Sequence, residues 1–199
     1  MNYLAHAYLS FGIPEITVGN LISDFVKGKK KFEYPAAIQR GIVLHRAIDT
    51  FTDSHDATRR AKSFFKADYG LYSGPLTDIV YDHFLANDPF IFPLMEGGLK
   101  EFARTTYRQV ESRSAILPER FARIFYYMHT QDWLSNYGKR EAIWNSFAGL
   151  ARRALYMTGP EQAGRLFETH YIDLEACYRD FFPSLQEFAR RTLEEGQML

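Results

Sequence analysis

The chain is poor in the features that announce many functions at once. Its 199 residues contain one cysteine, Cys177, which excludes an internal disulfide framework and any zinc site built on cysteine pairs. Such sparing use of cysteine suits a reducing compartment, and the cytoplasm is the expected location. No window approaches the ~20 consecutive apolar residues that span a bilayer. The opening "MNYLAHAYLSFGIPE" has no basic leader, so a soluble protein with no membrane partner is expected. Neither sign of charge dominates, with Lys plus Arg and Asp plus Glu at 24 each, which argues against a general nucleic-acid binder. Three catalytic templates are missing: the G-x-x-x-x-G-K phosphate loop, the G-x-S-x-G elbow and H-E-x-x-H. Cys177 stands in "DLEACYRDFF", whose acids disfavour a thiolate nucleophile.

Strand-like alternation is scarce as well. What recurs instead is apolar spacing at i, i+3 and i+4, punctuated by Pro and Gly at intervals suited to helices. With 46% hydrophobic and 24% charged residues, the chain predicts an all-α, single-domain helical bundle over residues 1–199. A short helix starts near Asn2 as N-cap and is broken by "GIP" at 12–14. A second covers about 15–27, ending before Gly28. Pro35 opens a long third helix, with a turn or kink at "TDSH", 52–55, before "DATRRAKSFF". Further helices are predicted over about 75–87, 97–112, 118–131, 139–157 and 160–195, the last broken before Pro183. Aromatic residues crowd "RIFYYMHTQDW" and "YRDFFPSLQEF"; they are expected in the core, with an aromatic groove for an extended ligand as the alternative.

His and Asp side chains stand among apolar neighbours in four segments of the first half. His6 lies in "NYLAHAYLS" and Asp24 in "GNLISDFVKG". His45, Asp49 and Asp53 follow four residues apart in "GIVLHRAIDTFTDSH", in line along one helix side with Arg46 beside them. Asp78, Asp82 and His83 share "LTDIVYDHFL". Each residue alone has an ordinary explanation, as a satisfied core histidine or a solvated acid. Together they need more positive charge than Arg46 supplies, because a buried unpaired carboxylate is costly. A divalent cation satisfies several at once, and imidazole with carboxylate suits Mn, Fe or Zn. Spacing alone leaves a metal site and a charged surface both open. With a metal, the chemistry expected is hydrolysis of a phosphate ester by an activated water.

With these segments in view, the chain resembles the acyl carrier protein phosphodiesterase family. "MNYLAHAYLS", "GNLISDFVKG", "GIVLHRAIDTFTD" and "TDIVYDHFL" follow the family's pattern in order and at similar separations, and the likeness extends to "FFPSL" near the C-terminus. The resemblance implies an all-helical fold similar to the HD-domain phosphohydrolases and a divalent metal, manganese favoured over Mg²⁺ or Fe²⁺. It implies hydrolysis of the phosphodiester between 4′-phosphopantetheine and a serine of holo acyl carrier protein. Carried onto this chain, it makes His6, Asp24, His45 and Asp82 the metal shell. Asp49, Asp53, Asp78 and His83 become neighbours that orient ligands or handle protons, and Arg46 a clamp for phosphate charge. The chain departs from the pattern in places. The consecutive His-Asp pair of the HD superfamily is absent, Asp82-His83 being its reverse. Val43 and Ala47 stand where family members carry a further His and a second Arg.

The basic segments "KGKKK" at 27–31 and "RRAK" at 59–62 then acquire a purpose. Lys29, Lys30, Lys31, Arg59, Arg60 and Lys62 are expected to face the strongly acidic carrier protein as substrate. Two other functions fit the same residues. One is a metal phosphohydrolase for a small phosphoester such as a nucleotide. The other is a non-catalytic helical binder of an acidic partner.

Overall fold

A computed structural model describes residues 1–196; residues 197–199, the end of the expected domain, lie outside the described residues. Among the described residues the chain is all-α, as predicted, with no strand. The helices are α1 Tyr3–Tyr8, α2 Pro14–Ile22, α3 Ala36–Ser54, α4 Asp56–Tyr69, α5 Ser73–Ala86, α6 Gly98–Glu111, α7 Glu119–Thr130, α8 Trp133–Asn136, α9 Arg140–Arg153, α10 Pro160–Thr169 and α11 Tyr171–Glu195. Their apolar faces meet in one connected core that includes Leu4, Ile16, Ile42, Tyr81, Phe147 and Phe181.

Local chemistry explains most boundaries. The Asn2 side chain accepts the Tyr3 N–H and starts α1. Phe11 and Gly12, both at positive φ (52° and 75°), turn the chain before Pro14 opens α2. His55 leaves the helical region and its Nδ1 accepts the Ala57 N–H, so the expected break at 52–55 divides α3 from α4.

Three boundaries differ from the prediction. The second helix stops at Ile22, and Ser23–Phe25 form a 3-10 turn. The Ser23 hydroxyl donates to the Ile42 carbonyl, and Val26 is buried in extended conformation, so the chain leaves the helix to meet α3. The predicted 160–195 helix breaks at His170, not at Pro183, which sits inside α11. Pro183 and Arg179 both face solvent, where water can take the carbonyl that Pro leaves unpaired. The 139–157 helix ends at Arg153.

Helices α2 and α3 approach each other very closely at two glycines. A Cβ added at Gly19 would lie 2.1 Å from the Ile38 carbonyl oxygen, and one at Gly41 would lie 2.4 Å from that of Ile16. Either contact is far inside van der Waals distance, so the two backbones cross with no side chain between them. Everything that α2 and α3 carry next to this crossing is thereby fixed in relative position.

Gly19→Ala and Gly41→Ala are each expected to destabilise the protein by about 3 kcal/mol, the upper end of ordinary overpacking. Gly149→Ala, whose new Cβ meets only the Arg152 side chain at 3.6 Å, is expected to stabilise by up to ~1 kcal/mol through helix propensity. Urea unfolding of the three variants checks both signs; a neutral Gly41→Ala contradicts the close crossing.

Candidate metal centre

The glycine crossing places Asn20 of α2 against His45, one turn beyond Gly41 on α3. The His45 Nδ1–H donates to the Asn20 backbone carbonyl at 2.7 Å. The Asn20 side chain, fully buried, holds the other imidazole: its Oδ1 accepts from His6 Nδ1 at 2.8 Å. Its Nδ2 donates to the His6 carbonyl at 2.9 Å and to Ser10 Oγ at 3.1 Å. Both acceptors are carbonyl oxygens, so each imidazole carries its proton on Nδ1 and turns Nε2 outward. One residue thus sets the tautomer and aim of two rings, which stack at 4.0 Å with planes 16° apart.

Asp49, one turn after His45, faces both Nε2 atoms: its Oδ1 is 3.3 Å from that of His6 and its Oδ2 is 3.1 Å from that of His45. His6, His45 and Asp49 offer ligand atoms that all lie within 4.8 Å of one another. Asp24, on the 3-10 turn, reaches His45 Nε2 at 3.2 Å while its side chain stays 72% exposed. His6 Nε2 is buried without a hydrogen-bond partner among the described residues. An orphaned imidazole nitrogen next to a second imidazole and a carboxylate fits a divalent cation, and this donor set suits Mn, Fe or Zn.

Electrostatics without a cation are unequal. Burial, aided by the His45 charge, pushes His6 down to about 4. Burial also disfavours charge on His45, but the Asp24 and Asp49 carboxylates outweigh it and raise the imidazole to about 9. Burial opposes the Asp49 charge, yet the two imidazoles that it faces hold the carboxyl well below the usual range. At neutral pH a proton on His45 therefore occupies the place of a cation.

The other expected site residues are dispersed. Asp82, expected in the metal shell, lies beneath α1 and is not one of the three residues grouped around the imidazoles. Its oxygens accept the N–H groups of Leu4 at 2.7 Å, Asn2 at 3.2 Å and Ala5 at 3.3 Å. It anchors the helix that carries His6. Burial, despite those N–H groups, raises its carboxyl to about 7. His83 points away from both acids of α5. Its Nδ1–H donates to the Tyr137 carbonyl (2.7 Å) and its Nε2 bonds to the Tyr171 hydroxyl (3.0 Å), among Phe84 and Phe167. Asp53 is exposed and paired with Lys62 at 2.7 Å. Exposed Arg46 donates to the Val26 carbonyl at 2.8 Å. Asp78 lies near the centre, 3.0 Å from the Met1 amino group.

The basic residues separate in the same way. Arg59 pairs with Asp56, Arg60 with Asp180 and Lys62 with Asp53. Lys29, Lys30 and Lys31, on the 3-10 segment Gly28–Glu33, have no acidic partner among the described residues. Of the two expected basic stretches, only the first is unopposed.

A pit of about 250 Å³ opens over the cluster, lined by His6, His45, Asp24, Asp78, Leu150 and Arg153 among others. Arg153, at the end of α9, is the cation that sequence reasoning missed. It is exposed, its Nε bonds only to the Gly149 carbonyl at 3.2 Å, and no acid pairs with it among the described residues. Its only trace in the sequence is the doublet in "GLARRAL". Asn20 was passed over too, because its role depends on contacts with two other helices.

Fold and site together define an all-helical protein in which a buried pair of histidines and an aspartate could hold a divalent metal beside a pit open to solvent. A family model described as acyl carrier protein phosphodiesterase matches residues 1–185. The chain is 31% identical over 192 residues to an acyl carrier protein phosphodiesterase of Yersinia pestis, covering 96% of this chain and 98% of the relative. It is 31% identical over 190 residues to one of Photorhabdus laumondii, with 95% of each covered, and 30% identical over 190 residues to one of Klebsiella pneumoniae, with 95% and 97% covered. The chain belongs to the acyl carrier protein phosphodiesterase family. No solved structure matches it. No helix among the described residues is long and apolar enough to cross a membrane.

Two outcomes are expected. Asn20→Ala should weaken divalent-metal affinity 10–100-fold, the usual effect of removing a group that orients a ligand, with helical content intact by circular dichroism; unchanged affinity in a titration removes Asn20 from that role. Metal binding at pH 7 should release about one proton, because His45 is charged below about 9 while His6 is already neutral above about 4. Affinity therefore rises with pH, roughly tenfold per unit, until about 9. Calorimetry in two buffers of different ionisation enthalpy measures the proton, and identical heats in both count against it.

Proposed function

We propose that the chain hydrolyses the phosphodiester joining 4′-phosphopantetheine to a serine of holo acyl carrier protein, at a divalent cation held by His6, His45 and Asp49. The observation that carries the proposal is the orphaned His6 Nε2, aimed with His45 and Asp49 at one point under an open pit. The names of the relatives support the substrate. Mn²⁺ is the proposed ion, with Fe²⁺ next; Mg²⁺ prefers an all-oxygen shell and fits two imidazoles less well. A cation there supplies Lewis-acid polarisation of a phosphoryl oxygen and lowers the pKa of water.

The chain's own residues do the rest. Asn20 keeps both Nδ1 protons in place, so that both Nε2 lone pairs face the cation. Exposed Asp24, 3.2 Å from His45 Nε2, would offer a bound cation a further carboxylate oxygen. Burial raises the Asp78 carboxyl above the usual range, which equips its oxygens to hold or return a proton at the pit wall. Arg153 takes the role first given to Arg46, binding the non-bridging phosphate oxygens. Attack of water on phosphorus breaks the bond to the serine oxygen, which leaves with a proton as the free hydroxyl of the apo carrier. Phosphopantetheine keeps the phosphate.

Lys29, Lys30 and Lys31 follow Asp24 closely in the chain and offer unopposed positive charge to the acidic carrier. Such a partnership belongs in the cytoplasm, the proposed location.

The test is the intact mass of the carrier. Wild-type protein with Mn²⁺ is expected to strip the phosphopantetheine mass from holo carrier, and chelator or Asp49→Ala to reduce the rate at least a hundredfold. Replacing Lys29, Lys30 and Lys31 by Glu should raise KM about tenfold at low salt, a difference that shrinks as salt is added. An intact carrier after incubation with protein shown to contain metal would overturn the proposal.

A further inference from the structure

A second cavity adjoins the pit and is larger. It holds about 500 Å³ against about 250 Å³, within the range of about 300–1,000 Å³ that small-molecule clefts occupy. Asn2, Tyr3, Ile79 and Arg153 line both, so the two spaces adjoin at these residues. Beyond that junction the walls come from α7, α8 and α9: Ile124, Tyr127 and Trp133 on the apolar side, with Gln131, Asn145 and Arg152 as polar groups. Tyr127 is 53% exposed at its edge. The aromatic run "RIFYYMHTQDW" therefore builds a wall of this space as well as part of the core.

We infer that this cavity seats the pantetheine arm of the substrate; the inference rests on the diesterase reading. The arm is a slender chain in which apolar stretches alternate with secondary amides, and it ends in the phosphate that the enzyme attacks. A cavity walled by aromatic and amide side chains, with an arginine at its border with the pit, offers groups of both kinds to such a chain. The phosphate lies at Arg153, and the arm runs away from it between α7 and α9. The enzyme thus grips the half of the substrate that keeps the phosphate, independently of the carrier's protein surface. Binding energy gathered on the arm holds the reacting phosphate in place over the cation.

Calorimetry on the Mn²⁺-loaded protein compares 4′-phosphopantetheine with inorganic phosphate. The arm is expected to add at least tenfold in affinity. Ser146→Trp, which fills the cavity from α9, and Tyr127→Ala, which removes a wall at an exposed position, should each erase most of that gain while phosphate affinity stays within twofold. Circular dichroism and urea unfolding of both variants establish that they are folded. Equal affinity for the two ligands, or a gain that survives both substitutions, overturns the inference. The outcomes separate it from the diesterase reading. A carrier stripped by a protein that binds both ligands equally sinks the arm seat alone. A carrier left intact by a protein whose phosphopantetheine preference is lost in both variants sinks the diesterase reading and supports the seat.

Discussion

The site depends on one steric constraint: α2 and α3 must cross with no side chain between them. Gly19 and Gly41 make that possible, and their consequence is felt one residue and one turn away. Asn20 follows Gly19, and His45 follows Gly41 by four residues. Only at this separation does the Asn20 carbonyl reach His45 Nδ1 while its amide reaches back to His6. A methyl group in the crossing would push α2 outward and break both bonds together. Packing and chemistry are therefore one requirement here, imposed on glycine because no other residue allows the approach.

Much of this was legible in the sequence, and the limits were geometric. Helix class followed from apolar spacing, and His6 and His45 stood out as imidazoles on apolar helices. The line of His45, Asp49 and Asp53 was half right. Each step of four residues turns a helix by ~40°, so Asp49 still faces His45 whereas Asp53 has rotated into solvent beside Lys62. Arg46 and His83 each follow a site-facing or buried position by one residue, a turn of ~100°, and they leave on other faces. The family resemblance put Asp82 in the metal shell, and spacing cannot check that, since a buried carboxylate serves a cation or a row of amide N–H groups equally well. Arg153 was invisible because only tertiary packing brings α9 to a site built from the first three helices.

The acids show how surroundings decide the role of one side-chain type. Asp82 is fully buried and three amide N–H groups answer it, yet burial still prevails and holds its carboxyl high. Asp49 is half-exposed and faces two imidazoles, so its charge is secured and its carboxyl held low. Asp53 meets Lys62 on the surface, where such a pair contributes little to stability. Only the second arrangement leaves oxygen lone pairs beside nitrogen lone pairs at a place that solvent can reach. That combination of fixed charge and open access is what a group able to hold a cation needs and a structural carboxylate does not.

Position of His6 is the remaining demand, and α1 cannot meet it alone. A helix of six residues is far below the length at which isolated helices persist in water. It is held from outside: Asp82 takes its first amides, Asn2 caps it, and Asn20 and Ser10 both bond to the His6 carbonyl. Three of these four partners lie within the chain's first twenty residues, and the fourth comes from α5. Rigidity at the centre therefore derives from a buried polar network in which each member is satisfied by another. The one exception is His6 Nε2. In a network this complete, the single atom left without a partner is the one the network exists to present.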